Sequence, residues 1–264
     1  MPKKKLEWWQ DVFDERYLKT YVDIITPEVT VKQVSFIHKN LGLKKGAKIL
    51  DLACGHGRIS IELAKLGYKV TGLDYSKHFI EIARKEAKEQ DAQVEFIRED
   101  MRNLNSINKF DVILNIFTSF GYFKDENDDI KVIQKIARAL RPGGKFLIDL
   151  NNIVRTISLM AKNGEVDKRG RLVNPGRKDK LSNGLIVKTQ DIADAGTLRW
   201  SMIRTWKEKG KVRNYKTDSR LYTLPELKHL LEENGLKVQK VWGNYDGSRF
   251  SFASRRLVVL AKKR

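Results

Sequence analysis

The chain predicts an α/β fold in which a parallel sheet is covered by helices on both faces, and three observations carry that expectation. Between residues 48 and 150, short apolar runs alternate with amphipathic segments of helix length. Glycines stand at the joints, with Gly55 and Gly57 between the first run and the first helix, Gly67 after that helix, and Gly143 and Gly144 before the fifth run. The run at 110–115 is nearly all apolar, as a strand covered on both faces requires.

Residues 1–45 read as a helical lid. Trp8, Trp9, Val12, Phe13, Tyr17, Leu18 and Tyr21 recur at helical spacing, Pro27 interrupts, and Val29, Val31, Val34, Ile37 and Leu41 resume an apolar face before Gly42. Such an aromatic-rich segment either packs as core or covers a flat ligand. In 46–150, strands are expected over 48–52, 68–73 with Asp74 at the end, 94–98, 110–115 and 145–150. Helices are expected over 58–66, from the Ser76 cap to about residue 90, and from about 128 to 140, where Arg141-Pro142-Gly143-Gly144 stops the last of them. The rhythm breaks over 151–222. Turns at Asn163-Gly164, Asn174-Pro175-Gly176 and Ser182-Asn183-Gly184 lead to three β-type runs, 185–191, 197–206 and 212–222, linked by Ala195-Gly196 and Lys209-Gly210. They read as an inserted antiparallel β meander. Residues 223–264 return to the main fold: Thr223-Leu224-Pro225-Glu226 has capping-box spacing for a helix ended by Gly235, and 238–245 and 257–261 form closing strands paired antiparallel.

At 264 residues and 41% apolar content the chain can bury one large core. It holds no apolar run of membrane-spanning length, and its basic start has no apolar stretch behind it, so neither a transmembrane helix nor a signal peptide is expected. The single cysteine, Cys54, excludes an internal disulfide and a cysteine-cluster metal site and points to a reducing, cytoplasmic setting. His38, His78 and His229 lack metal-ligand spacing, so no metal is expected. The net charge of +19 is C-terminal: residues 1–150 carry 26 Lys and Arg against 22 Asp and Glu, residues 151–264 carry 26 against 11. Such an excess suits an anionic partner, whether nucleic acid, phosphorylated small molecule or membrane surface, and it equally suits a solvated charged surface.

The chemistry is concentrated in Asp51-Leu52-Ala53-Cys54-Gly55-His56-Gly57-Arg58, which reads as strand, tight glycine loop and helix N-terminus. Asp51 can face a ligand's ammonium group. Asp74, 17 residues after Gly57, closes the second strand where a carboxylate reaches both hydroxyls of a ribose. Asp100 follows the third strand and can accept from an adenine amino group, with Met101 against the ring. The series suits a ligand with an amino-acid head, a ribose and an adenine. A nicotinamide-dependent dehydrogenase uses a similar loop, but Gly55-His56-Gly57-Arg58-Ile59-Ser60 lacks the third glycine of that fingerprint.

Together with Glu99-Asp100-Met101, Asp111-Val112-Ile113-Leu114-Asn115 and Pro142-Gly143-Gly144, these residues resemble the class I S-adenosylmethionine-dependent methyltransferases over about residues 45–150. Ala53 stands where many members have glycine. The stretch 115–123 and Tyr245-Asp246-Gly247-Ser248 are similar to a bacterial and archaeal subgroup of the same family. The resemblance implies a Rossmann-like, seven-stranded, mostly parallel sheet with a reversed last strand, and S-adenosyl-L-methionine as cofactor. It implies cofactor contacts from Asp51, Ala53, Gly55, Gly57, Asp74, Tyr75, Asp100, Met101 and Asn115.

Methyl transfer needs an acceptor lone pair in line with the methyl carbon at about 3–3.5 Å. Attack through C5 of a pyrimidine usually needs a cysteine nucleophile, and the one cysteine lies in the glycine loop. The Asn/Asp-Pro-Pro-Tyr motif of DNA-adenine and glutamine methyltransferases is replaced by Asn115-Ile116-Phe117-Thr118. Three readings remain. One is methylation of an oxygen or nitrogen of a small molecule enclosed by the lid and the meander. Another is methylation of tRNA or rRNA, with the basic insertion tracking phosphates and Trp200, Trp206 and Tyr215 available for stacking. The last is a module that binds S-adenosylmethionine without turnover. Candidate groups at the acceptor are Tyr17, Tyr21, Thr118, Ser119, Tyr122 and Asn151, with His56 beside the methionine end of the cofactor. Arg249, Arg255 and Arg256 are candidates for an anionic substrate or for a solvated face.

Overall fold

The computed structural model describes residues 6–264, so residues 1–5 of the expected lid lie outside the described residues. Three leading helices, α1 (Trp8–Val12), α2 (Glu15–Tyr21) and α3 (Pro27–Leu41), precede the alternating units. Pro27 occupies the first turn of α3, where a missing N–H costs nothing, and Gly42 ends the helix in the left-handed region at φ 57°. The proline therefore starts a helix as well as separating two.

There follow β1 (Lys48–Leu52), α4 (Arg58–Lys65), β2 (Lys69–Asp74), α5 (Lys77–Glu89), β3 (Val94–Arg98), β4 (Phe110–Asn115), α6 (Glu126–Ala139) and β5 (Leu140–Asn151). The Ser76 hydroxyl accepts from the Phe79 amide at 3.1 Å, the cap expected for α5. Strand β5 starts at Leu140, earlier than the expected 145, and so runs through Pro142-Gly143-Gly144. Its pairing with β4 shifts register between Phe110 and Val112, the kind of irregularity at which a strand tolerates proline.

After β5 come α7 (Ile153–Ala161), the short strands β6 (Glu165–Val166), β7 (Leu172–Val173) and β8 (Arg177–Lys180), and the long strands β9 (Ile186–Asp194), β10 (Arg199–Glu208) and β11 (Lys211–Arg220). The chain closes with α8 (Leu224–Glu233), β12 (Leu236–Trp242) and β13 (Arg256–Lys263). Thr223 and Glu226 form the expected capping box.

The main sheet has the order β12-β13-β5-β4-β1-β2-β3. Strands β1 to β5 are parallel, and β13 runs antiparallel to both β5 and β12, which makes it the reversed strand. Alternation along the strands separates two cores. Leu50, Ile113, Phe146 and Ile148 pack with Val132, Ile133 and Ile136 of α6 and Leu227 and Leu231 of α8. Ile49, Val112, Leu114 and Leu147 pack on the opposite side with Val34, Ile37 and Leu41 of α3 and Leu63 of α4. Strand order reverses between β1 and β4, and in open α/β sheets the crevice outside such strand ends is where ligands bind.

The meander is a six-stranded sheet in the order β11-β10-β9-β7-β6, with β8 also paired to β9. Its small strands were not expected, because two to four residues among turn signals show no alternation, and the nine-residue helix α7 before them was not expected either. The sheet docks on the core at Gly121 (φ 87°), whose carbonyl accepts from the Arg220 amide at 2.8 Å. A β-carbon at Gly121 would stand 2.2 Å from the Arg220 carbonyl oxygen, so only glycine permits this approach. Helix α2 rests on the same sheet, with the Thr20 and Tyr215 hydroxyls 2.6 Å apart. No described helix is long and apolar enough to cross a membrane.

Candidate active site

Strand β1 carries Asp51 into the crevice, 2% exposed, where it accepts from the Ser60 hydroxyl at 2.6 Å. The loop after it turns through left-handed backbone at Ala53 (φ 60°), Gly55 (φ 57°) and Gly57 (φ 83°). Asp74 ends β2 and ties the loop down, its Oδ2 accepting from the Gly55 amide and its Oδ1 from the Ser76 amide, both at 2.8 Å. Burial pushes both carboxyls up to about 6, that of Asp51 against the opposing hydrogen bond of Ser60 and charge of Arg58.

Asp51, Ala53, Gly55, Asp74, Tyr75, Asp100 and Met101 all line this cleft. Asp100 is already held by Arg102, whose Nη2 donates to Oδ2 at 2.6 Å and whose backbone amide donates to Oδ1 at 2.9 Å. Gly57 and Asn115 do not line the cleft. Gly57 caps α4, and a β-carbon there would lie 2.8 Å from the Phe96 ring, so its contribution is room for the loop to pack. Asn115 is 1% exposed and donates to the Leu52 carbonyl at 3.1 Å, while its Oδ1 has no partner among the described residues.

The leading helices cover the cleft with Trp9, Phe13 and Tyr17. Trp9 stands edge-on to Tyr75 at 4.8 Å, Gln10 donates to the Tyr75 hydroxyl at 3.1 Å, and the Ser76 hydroxyl donates to the Phe13 carbonyl at 2.6 Å. Beyond an aromatic partition of Phe13, Tyr17, Phe117 and Tyr122 lies a second cavity of about 450 Å³. The inner face of the inserted sheet lines it with Asp191, Trp200, Met202, Arg204, Thr217 and Ser219, and Lys32, Arg177 and Arg255 also border it.

The partition stands on strained backbone. Phe117 (φ 70°) and Thr118 (φ 61°) are consecutive left-handed residues without being glycine, a conformation that costs roughly 1–2 kcal/mol each. Asp149, fully buried on β5, holds them: its Oδ2 accepts from the Phe117 amide at 3.0 Å and its carbonyl from the Thr118 amide at 2.8 Å. Arg256 on β13 pairs with Asp149 at 2.6 Å and donates to the Thr118 hydroxyl at 2.9 Å and to the Asn151 side-chain carbonyl.

This brace reassigns several expected groups. Arg256 faces Asp149, and the Thr118 hydroxyl is taken by Arg256 and by the Asn151 amide. Tyr17 and Tyr122 border both cavities, Tyr21, Thr118 and Asn151 only the second, and Ser119 only the first, where it donates to the Ile116 carbonyl at 3.0 Å. Burial pushes the phenols of Tyr17, Tyr21 and Tyr122 above the ordinary tyrosine range, so at neutral pH they are hydrogen-bond donors. His56 lines the cleft, and burial, with Arg58 beside it, lowers the imidazole to about 4. Arg255 is exposed at the edge of the second cavity, and Arg249 lines neither. Trp206 and Tyr215 pack against each other at 5.9 Å and are buried, which leaves Trp200 as the one of the three named stacking residues that borders a cavity.

Residues 49–144 match the methyltransferase-domain family. A ubiquinone biosynthesis O-methyltransferase of Chelativorans is 32% identical over 175 residues, spanning 61% of this chain and 68% of that protein. The chain belongs to the class I S-adenosylmethionine-dependent methyltransferases. Among solved structures, the CcbJ methyltransferase of Streptomyces caelestis superposes on the methyltransferase with a TM-score of 0.79 at 17% identity, over 98% of this chain and 99% of that one. The sugar N-methyltransferase KedS8 of Streptoalloteichus gives 0.68 at 16% identity, over 100% and 99%. These two likenesses concern the fold. The cofactor of the methyltransferase is S-adenosylmethionine, and the cleft suits it chemically: buried carboxylates stand at the ends of β1 and β2, peptide amides line the glycine loop, and Tyr75 and Met101 offer flat apolar surface.

Proposed function

We propose that the methyltransferase methylates an oxygen or nitrogen of a small-molecule acceptor held in the second cavity. The observation that carries this reading is the cavity itself, walled by the inserted sheet and the leading helices and parted from the cofactor cleft by four aromatic side chains. The names of one relative, an O-methyltransferase, and of one structural neighbour, a sugar N-methyltransferase, agree with such an acceptor. In this reading residues 6–45 are the lid, 46–150 and 223–264 the cofactor-binding core, and 151–222 the acceptor-binding insertion.

Asp51 would hold the amino end of S-adenosylmethionine, the amides around Gly55 its carboxylate end, Asp74 the ribose hydroxyls, and Tyr75, Asp100 and Met101 the adenine. The bound cofactor supplies an electrophilic methyl group on a sulfonium. The protein's part is positioning and exclusion of water: the partition closes around the reacting atoms, and the Tyr17 and Tyr122 hydroxyls orient the acceptor as donors. An acceptor bound with its lone pair free, such as an unprotonated amine, then needs no base. The test is transfer of labelled methyl from the donor into small-molecule extract and into RNA, both from a strain lacking the protein. Label in the small-molecule fraction is expected; label confined to RNA overturns the reading.

The raised carboxyls of Asp51 and Asp74 make a pH prediction with two opposite signs. Binding of the cofactor's ammonium and hydroxyl donors requires ionised acids, so affinity should fall as pH drops through about 6, by roughly tenfold or more between pH 7.5 and 5. In the free enzyme these carboxyls lie above their unfolded values. Their contribution to stability is therefore fully present below about pH 4 and lost as pH rises through about 6. Calorimetric titrations and thermal unfolding at matched pH should show the two trends crossing, and Asp74→Asn should flatten both.

A further inference from the structure

We infer that the methyl acceptor carries an anionic oxygen group, a carboxylate or phosphate, which binds Arg204 in the second cavity. The inference rests on the small-molecule reading above and adds the charge of the substrate to it.

Strand β10 is paired on both sides, by β9 and β11, and turns Met202, Arg204 and Trp206 toward the protein interior. A sheet face covered by protein is ordinarily apolar. Here its middle strand carries an arginine that is 5% exposed and borders the cavity. The Arg204 guanidinium donates to the Thr20 carbonyl and lies 4.1 Å from the centroid of the Tyr21 ring. Its Nε is buried without a hydrogen-bond partner, and among the described residues no carboxylate comes within 4 Å. A guanidinium carries donors and no acceptor, so only acceptors can satisfy it.

Asp191, the one carboxylate bordering the cavity among the described residues, feels the Arg204 charge at a distance but forms no ion pair with it, and its nearer partners are others. Asp191 accepts from the Trp200 indole at 3.0 Å and pairs with Arg177 at 3.7 Å, and Arg177 also pairs with Asp179 at 3.0 Å. Arg256 has Asp149. The phenols of Tyr17, Tyr21 and Tyr215 around Arg204 are pushed up by burial and stay uncharged at neutral pH. Lys32 and Arg255 at the same cavity add charge of the same sign. A buried cation without a counter-charge is costly. An oxyanion in the cavity offsets that cost and matches the guanidinium fork, while Thr217, paired with Met202 one step along the same face of the sheet, offers a hydroxyl donor to the same cavity.

The test uses the full-length enzyme saturated with S-adenosylhomocysteine and titrated with benzoate, with its uncharged counterpart benzamide and with inorganic phosphate. At least one of the two anions should bind roughly tenfold or more tightly than benzamide. Arg204→Met and Arg204→Gln should each lose that preference, with anion binding weakened roughly 10- to 100-fold while S-adenosylhomocysteine affinity, which reports a folded cofactor cleft, is unchanged. Benzoate against phosphate then separates the two oxyanions. Equal affinity for benzamide and both anions, or undiminished anion binding in whichever variant retains the cofactor site, overturns the inference. Label from the methyl donor recovered in a neutral or cationic small molecule also overturns it while leaving the small-molecule function standing; label confined to RNA removes that function instead.

Discussion

Replacing Asp74 by alanine should weaken S-adenosylmethionine binding by on the order of 10²- to 10⁴-fold, measured by isothermal titration calorimetry. The carboxylate closes β2 and already accepts from the Gly55 and Ser76 amides, which fixes its plane and leaves further lone pairs toward the cleft. Two ribose hydroxyls bound there make charge-assisted hydrogen bonds worth about 1.5–3 kcal/mol each, so their joint loss spans the stated range. Alanine also strips both amides of their acceptor and loosens the loop in which Ala53 and Gly55 hold left-handed backbone. Asparagine keeps one oxygen but turns an amide donor toward one of two backbone donors, so Asp74→Asn should bind weakly as well. An Asp74→Ala enzyme that binds the cofactor within threefold of the unmodified one would remove this cleft as the cofactor site.

The part of the molecule that was legible is the part in which sequence neighbours are also functional neighbours. Each of Asp51, Asp74 and Asp100 lies at or within two residues of the end of a strand that an apolar run announces, and parallel strands deliver their C-terminal ends to one edge. Reading strand ends therefore amounted to reading the cleft. The same rule misplaces Asn115, the last residue of β4, because side chains alternate faces and this one turns into the protein. The seven strands and the reversal of the last one came from family resemblance, and their order came only from the structure, since periodicity carries no pairing information. Arg204 and the Asp149–Arg256 pair left no local signal at all. Their partners lie far along the chain, Thr20 at a separation of 184 positions from Arg204 and Asp149 at 107 from Arg256, and only the docked sheets bring them together. Arg256, a candidate for an anionic substrate or a solvated face, has a side chain only 11% exposed, held against Asp149.

That hidden pair leads to the largest expected effect on stability and turnover together. Asp149→Ala removes the counter-charge of a guanidinium buried between β5 and β13, and with it the side-chain acceptor for the Phe117 amide. Breaking a buried ion pair from one side costs about 3–5 kcal/mol, which for a protein of this size lowers the melting temperature by roughly 6–15 °C. The catalytic loss should be larger than stability alone explains. Phe117 and Thr118 keep left-handed backbone only because Asp149 and Arg256 hold it, and once released they relax and carry the partition between the two cavities with them. Turnover should therefore fall at least tenfold at temperatures where the variant is folded, while S-adenosylmethionine affinity, set mainly on the β1 and β2 side, changes by less than about threefold. Removing both charges, in Asp149→Leu with Arg256→Met, should recover part of the stability and none of the turnover, because the unpaired cation is gone but the brace is not restored. A double-mutant cycle that is additive within about 0.5 kcal/mol, or an Asp149→Ala enzyme with undiminished turnover, would show that the left-handed pair is held by something other than this buried ion pair.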